Sequence, residues 1–159
     1  MFLPSGRVHA IGTGLVIFEI QQNSDTTFRV HDWNRVGLDG KPRELHIPQS
    51  LESIDFADVE PALVTAVLTQ SPDSVEVQPL VRDPLFDIDL VRADAGPAVR
   101  NLPYTLQVLA CVRGRVTARG GDVSQTLTDG QFCLLPATTR EPSIAIERGT
   151  VLLIARPGR

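Results

Sequence analysis

The sequence is poor in cysteine and histidine, and each shortage narrows what the chain can be. Cys111 and Cys133 are the two cysteines in 159 residues, too few for a disulfide framework in a chain this short. Both sit in apolar runs and read as buried free thiols, which fits a reducing cytoplasm. The three histidines are His9, His31 and His46. None follows His46 and no His-x-His pair occurs, so no metal site is expected in the later part of the chain. Basic residues are scattered, and the formal net charge is -4. Nucleic acid is therefore not an expected partner, because phosphate backbones need concentrated positive charge. No apolar run is long enough to span a bilayer, so no membrane insertion is expected. The first residues lack a charged leader, and Pro4, Gly6, Arg7 and His9 interrupt the apolar stretch that a secretory signal would need.

What the sequence has in quantity is short runs of Val, Ile, Leu and Thr punctuated by Gly and Pro, a pattern of strands. Residues 15–21 and 27–32 read as two strands of a hairpin, joined by the turn-forming triplet Asn23-Ser24-Asp25. Residues 36–44 read as a loop with Asp39-Gly40 as its turn. Residues 47–56 are the expected helix, with Pro48 in its first turn and Leu51 and Ile54 on one face. Further on, residues 75–80, 86–92, 105–113, 116–118, 132–135, 143–146 and 151–155 read as short strands, with tight turns at Arg113-Gly114 and Gly120-Gly121-Asp122. Regularly spaced short strands of this kind predict an all-β jelly roll. The expected organisation is a first part over residues 1–56 that ends in the helix, a linker over 57–74, and a second β portion over 75–159.

The residues that carry chemistry lie in the first part. Pro4-x-Gly6-x-x-His9 resembles the second half of the second cupin motif, in which Pro and Gly shape a turn between strands and His points into the barrel as a metal ligand. His9-Ala10-Ile11-Gly12, the stretch from Glu19 to Val30, Asp32-Trp33-Asn34-Arg35, and the stretch from Asp39 to His46 then follow in order. Over residues 2–51 this run resembles the short bacterial type I mannose-6-phosphate isomerases, in their C-terminal half. Beyond it the resemblance is architectural. In the second portion, Gly130 to Pro136 repeats a cupin-like Gly-to-Pro spacing with no histidine after it, so that portion is identified as a degenerate cupin with a structural role.

The resemblance implies a cupin-like jelly roll (a double-stranded β-helix), zinc as cofactor, and interconversion of mannose 6-phosphate and fructose 6-phosphate. It implies that His9 is a zinc ligand, that Glu19 is a glutamate in the sugar pocket, and that Arg29 acts on the sugar during isomerisation. The residues read alone are compatible with this. Glu19 and Arg29 each stand five positions from Ser24, so a hairpin closing there makes them cross-strand neighbours, with Gln21 and Thr27 on the same face. The bland alternative is an exposed cross-strand ion pair of little energetic weight. His31 and His46 read as loop or packing residues rather than ligands, and Trp33 as a packing anchor. Arg35, Lys41 and Arg43 read equally well as phosphate-approaching groups or as a solvated loop.

A zinc site needs three or four ligands. In the resembled family the others come from elements upstream of the segment matching His9. The sequence therefore reads as an incomplete metal site, from a start assigned too late, a truncated remnant, or a half-protein that pairs with another chain. The expectations are weak or absent activity for the chain alone, a sugar phosphate as the small-molecule partner, and a homodimer or larger assembly formed through exposed strand edges. The rival readings are a non-catalytic sugar-binding cupin, a structural remnant, and a metal-dependent dioxygenase. The last needs more histidines than the chain has.

Overall fold

The computed structural model describes residues 2–24, 26–60, 65, 67, 69–70 and 75–158. The chain divides into two compact units, Met1–Leu63 and Val64–Arg159.

The second unit is a sandwich of two antiparallel sheets. Its strands are β1 (Thr69–Gln70), β2 (Glu76–Arg82), β3 (Phe86–Arg92), β4 (Ala98–Asn101), β5 (Gln107–Arg113), β6 (Arg115–Gly120), β7 (Val123–Thr128), β8 (Phe132–Leu135), β9 (Ser143–Ile146) and β10 (Val151–Pro157). One sheet has the order β1-β2-β3-β10-β5-β8 and the other β4-β9-β6-β7. The non-sequential neighbours are those of a jelly roll, and the expected all-β cupin-like class holds. Alternation sets the inner faces. Val91, Leu109, Cys111, Leu152 and Ile154 come from the larger sheet, while Val116, Ala118, Leu127, Ile144 and Ile146 come from the smaller. Together they form one buried cluster.

The strand boundaries follow local chemistry. Pro79 lacks an N–H to donate, and the β2–β3 register shifts between Pro79 and Val81, so the proline sits where pairing is already broken. Gly114 lies between β5 and β6, which belong to different sheets. Its φ of 92° lets the chain change sheets within one residue. Residues 86–92, 132–135 and 143–146 are strands as expected. Three strands were not expected. The two-residue β1 (Thr69–Gln70) falls in the stretch expected as a linker. Ala98–Asn101 is short and carries Arg100. Val123–Thr128 has Leu127 as its one buried residue, so its polar Ser124, Gln125 and Thr126 hide the alternation.

In the first unit, helix α1 (Ile47–Ser53) starts where expected, with Pro48 in its first turn. It stops short of Phe56 because Ile54 is extended, with its N–H still donating to the Ser50 carbonyl at 2.9 Å. The expected apolar face is not buried: Leu51 is exposed, and Ser50 is the helix residue that is covered.

The expected hairpin is a correction. Among the described residues of 15–21 and 27–32 no strand forms. The Ser24 N–H donates to the Gln22 carbonyl at 2.8 Å, so a local bend survives without a ladder. The physical reason is that a lone two-stranded ribbon is marginal unless one face is covered. Here Leu15, Ile17, Phe28 and Val30 are exposed, and Val16 is 92% exposed. All the buried apolar side chains among the described residues lie in the second unit.

Candidate functional site

The Pro4-x-Gly6 turn forms as the motif implies. The Arg7 N–H donates to the Pro4 carbonyl at 3.3 Å, and Gly6 has φ of 89°, as the third residue of a type II turn requires. A Cβ on Gly6 would lie 2.7 Å from the Ser53 carbonyl oxygen, so the glycine also lets the turn approach the end of α1. The Asp55 N–H donates to the Gly6 carbonyl at 3.0 Å. The Arg7 guanidinium grips Asp58 through Nη2 to Oδ1 at 2.8 Å and a second bond from Nε. Gly6→Ala is expected to destabilise the first unit by about 2 kcal/mol from the positive φ and the clash. Hydrogen exchange of the α1 amides in wild type and variant measures it.

His9 is exposed, and its Nδ1 lies 3.1 Å from the Arg7 carbonyl. A proton on Nδ1 would satisfy that bond and leave Nε2 as a donor atom, the arrangement in which ligand histidines are commonly held. Among the described residues, however, no group of three or more His, Cys, Asp or Glu side chains is placed to hold a metal ion. His9 fits as one ligand, and the described residues do not assemble a complete set around it.

Glu19 is exposed and makes no hydrogen bond or ion pair among the described residues. It is not joined to Arg29. The structure anchors Arg29 elsewhere. Its backbone N–H donates to His46 Nδ1 at 3.1 Å, and its carbonyl accepts from the His46 N–H at 2.8 Å. Its Nη1 donates to the Glu44 carbonyl at 2.9 Å, and its Nε lies 3.9 Å from Asp32 Oδ1. Asp32 is buried and is held by a two-pronged bond from Arg43, with Nε to Oδ2 at 2.8 Å and Nη2 to Oδ1. His46 thus orders Arg29 through the backbone, and Asp32 ties Arg29 to Arg43. Sequence reasoning missed Asp32. The available signal was one carboxylate three residues from each of two arginines, Arg29 and Arg35, with Arg43 following.

Trp33 and Asn34, both at positive φ (47° and 54°), form a tight turn closed by the Arg35 N–H donating to the Asp32 carbonyl at 2.9 Å. A bulky residue in this region is strained, and such strain is typically retained where the surroundings or function demand it. Trp33 is exposed rather than a buried anchor. Its ring meets His31 edge-on at 4.9 Å, and the Arg35 guanidinium lies 5.6 Å from its centroid. Residues 36–44 form the expected loop, pinned by a Val36–Pro42 bridge.

Charge sets the acid response of this unit. The hydrogen bonds from Arg43 hold the Asp32 carboxyl below the usual carboxylate range, with the charges of Arg43, Arg29 and Arg35 adding to them against the cost of burial. Arg7 does the same to Asp58. A carboxyl whose folded pKa is depressed contributes stability above its unfolded pKa, and that contribution is lost as pH falls through the folded value. The stability that these two carboxylates contribute should therefore be complete above about pH 5 and be lost progressively below about 4. NMR of the amides of residues 29, 46 and 47–53 across an acid titration checks this, and Asp32→Asn should flatten the response.

No protein-family model matches the chain. It is 34% identical over 140 residues to a mannose-6-phosphate isomerase of Streptococcus mutans, covering 87% of this chain and 43% of that protein. Over 58 residues it is 50% identical to the mannose-6-phosphate isomerase ManA of Bacillus subtilis, covering 36% of this chain and 18% of that one. The crystal structure of the mannose 6-phosphate isomerase from Bacillus subtilis superposes with a TM-score of 0.69 at 23% identity, covering 85% of this chain and 41% of that chain. The structural likeness shows the shared fold. The chain spans less than half the length of these relatives. With this fold and this sequence identity, the chain belongs to the type I mannose-6-phosphate isomerase family of cupins.

Proposed function

We propose that the chain carries the arginine-bearing part of a zinc-dependent mannose-6-phosphate isomerase site, whose substrates are mannose 6-phosphate and fructose 6-phosphate. The observation that supports this best is the fixing of Arg29 by His46, the Glu44 carbonyl and Asp32. Aldose–ketose isomerisation moves a proton between adjacent carbons through an enediolate. It needs a base near that proton and positive charge where the oxyanion develops. A guanidinium held in place supplies that charge without reorganising during the reaction. Glu19, exposed and without a protein partner among the described residues, is the proposed carboxylate of the sugar pocket. Zinc, the metal implied by the family resemblance, would have His9 as one ligand and would polarise the sugar oxygens. No step is assigned to it, because the described residues do not complete its ligand set.

The chain alone is proposed to turn over weakly for the same reason, and to self-associate through strand edges. In the second unit β1, β8, β4 and β7 are edge strands, with Val123, Phe132 and Leu134 exposed along β7 and β8. Exposed edges recruit further strands. A reducing cytoplasmic location belongs to the same proposal. Cys111 and Cys133 are free thiols, and burial pushes both up in pKa. Among the described residues no helix is long and apolar enough to cross a membrane.

Turnover of mannose 6-phosphate by the purified chain, with and without added zinc, tests the catalytic part. Weak turnover little changed by His9→Ala is expected. Robust turnover abolished by His9→Ala would show that an assembly completes the metal site. Size-exclusion chromatography with light scattering tests the association, and a clean monomer at micromolar concentration would exclude it.

A further inference from the structure

Arg35, Lys41 and Arg43, equivalent in the sequence, take different places in the structure. Lys41 belongs to the turn of its loop, where its N–H donates to Asp39 Oδ1 at 3.1 Å. Arg43 is bound to Asp32 by two hydrogen bonds, and Arg29 Nε lies 3.9 Å from the same carboxylate. Arg35 is brought to Asp32 by the turn between them. Trp33 and Asn34 both have positive φ, like the central residues of a type I′ turn, and the Arg35 N–H donates to the Asp32 carbonyl at 2.9 Å. Such a turn holds its first and fourth Cα atoms within about 7 Å. The charge of Arg35 accordingly reaches the Asp32 carboxyl, which is held below its usual range by the Arg43 hydrogen bonds first and then by the charges of Arg43, Arg29 and Arg35.

Three guanidiniums therefore share one carboxylate, and the group has an excess of two positive charges. Asp39 and Glu44, the other carboxylates between Arg29 and His46, make no ion pair with any of the three among the described residues. Asp32 is buried, whereas the Arg43 side chain is 40% exposed and Arg35 is exposed. Arg35 has its full donor capacity left, because its side chain makes no hydrogen bond or ion pair among the described residues. It is held by a ring instead. Its guanidinium lies 5.6 Å from the Trp33 centroid, within cation–π range, and His31 meets that ring edge-on at 4.9 Å. A planar fork of N–H donors is thus kept at the surface of a net positive group.

We propose that Arg35, with the remaining N–H groups of Arg43, binds a phosphate dianion, either free phosphate or the phosphate end of a sugar phosphate. A phosphomonoester carries about −1.5 to −2 at pH 7, which matches the excess charge. A carboxylate monoanion would leave half of it uncompensated. The guanidinium fork also fits phosphate oxygens in pairs. As the phosphate end of mannose 6-phosphate the site rests on the reading of Arg29 given above; as a phosphate site it rests on the three arginines alone.

The test is an NMR titration of the full chain with inorganic phosphate, exchanged against chloride at fixed ionic strength so that screening is constant. It follows the Arg35 Nε–H, the Trp33 indole N–H and the backbone amides of residues 32–35. Saturable shifts with a millimolar midpoint are expected. Arg35→Gln should raise the midpoint about tenfold or more. Arg35→Lys, which keeps the charge without the fork, should restore only part of the affinity. The α1 amides report that each variant is folded, and Arg148→Gln in the second unit should change nothing. Mannose 6-phosphate and D-mannose separate the two sources. A lower midpoint for mannose 6-phosphate than for inorganic phosphate, with no shift by D-mannose, assigns a sugar phosphate; equal midpoints assign free phosphate. No saturable shift at Arg35 by about 50 mM phosphate, far above a millimolar midpoint, would overturn the proposal, as would an unchanged midpoint in folded Arg35→Gln. Binding of mannose 6-phosphate at Arg29 that leaves Arg35 unshifted would also overturn it while sparing the reading of Arg29. Phosphate binding at Arg35 with no effect of mannose 6-phosphate at Arg29 would do the reverse.

Discussion

Gly114→Ala is expected to be among the most destabilising single-atom additions in the second unit, costing about 2–5 kcal/mol from the left-handed backbone and the overpacking together. At φ of 92° an added Cβ would sit 2.6 Å from Thr150 Oγ1 and 2.9 Å from Thr150 Cα. The second contact is with backbone, so a rotamer change cannot relieve it. Thr150 cannot readily retreat either. It is fully buried, and its hydroxyl accepts from the Arg115 N–H at 3.1 Å and donates to the Arg115 carbonyl at 3.0 Å. The Gly114 N–H itself donates to Asp129 Oδ1 at 2.7 Å. One residue therefore fixes where the chain leaves the larger sheet and enters the smaller. Thermal unfolding followed by near-ultraviolet circular dichroism should show a Tm lower by about 10 °C or more. A shift of only a degree or two would mean that the chain changes sheets by some other geometry.

Arg29→Ala is expected to produce the largest functional loss, weakening binding of mannose 6-phosphate by about 10- to 100-fold, the usual worth of a hydrogen bond to a charged group. Arg29→Lys should recover little. A lysine ammonium lacks the planar fork that lets Arg29 bond the Glu44 carbonyl, approach Asp32 and still present N–H groups outward. The readout is calorimetric titration, with α1 amide exchange as a control for folding. Equal affinity in wild type and Arg29→Ala would remove Arg29 from the pocket.

The fold was largely legible where burial is one-sided and periodic. In β3, β5 and β10 the apolar residues alternate against punctuating Gly and Pro, so the strands stood out. In β7 Gln125 shares a face with the buried Leu127 while Ser124 and Thr126 lie on the other, so both faces carry polar residues and the pattern vanished. The opposite error occurred at residues 15–21. Leu15, Val16 and Ile17 have strong strand propensity, but propensity without a sheet to join does not make a strand. The site was legible as residues, not as geometry. His9, Glu19 and Arg29 stand in the order of the resembled family, yet the contacts that hold Arg29 come from His46, Glu44 and Asp32. These lie between 3 and 17 residues away, spacings that no periodic pattern reveals.

The most direct test of the account is an NMR titration of the wild-type chain with mannose 6-phosphate, read at the first unit. The account predicts saturable shifts of the Arg29 side chain and of the Glu44 and His46 amides. Absence of any shift at these three residues, with binding detected elsewhere or not at all, would contradict it.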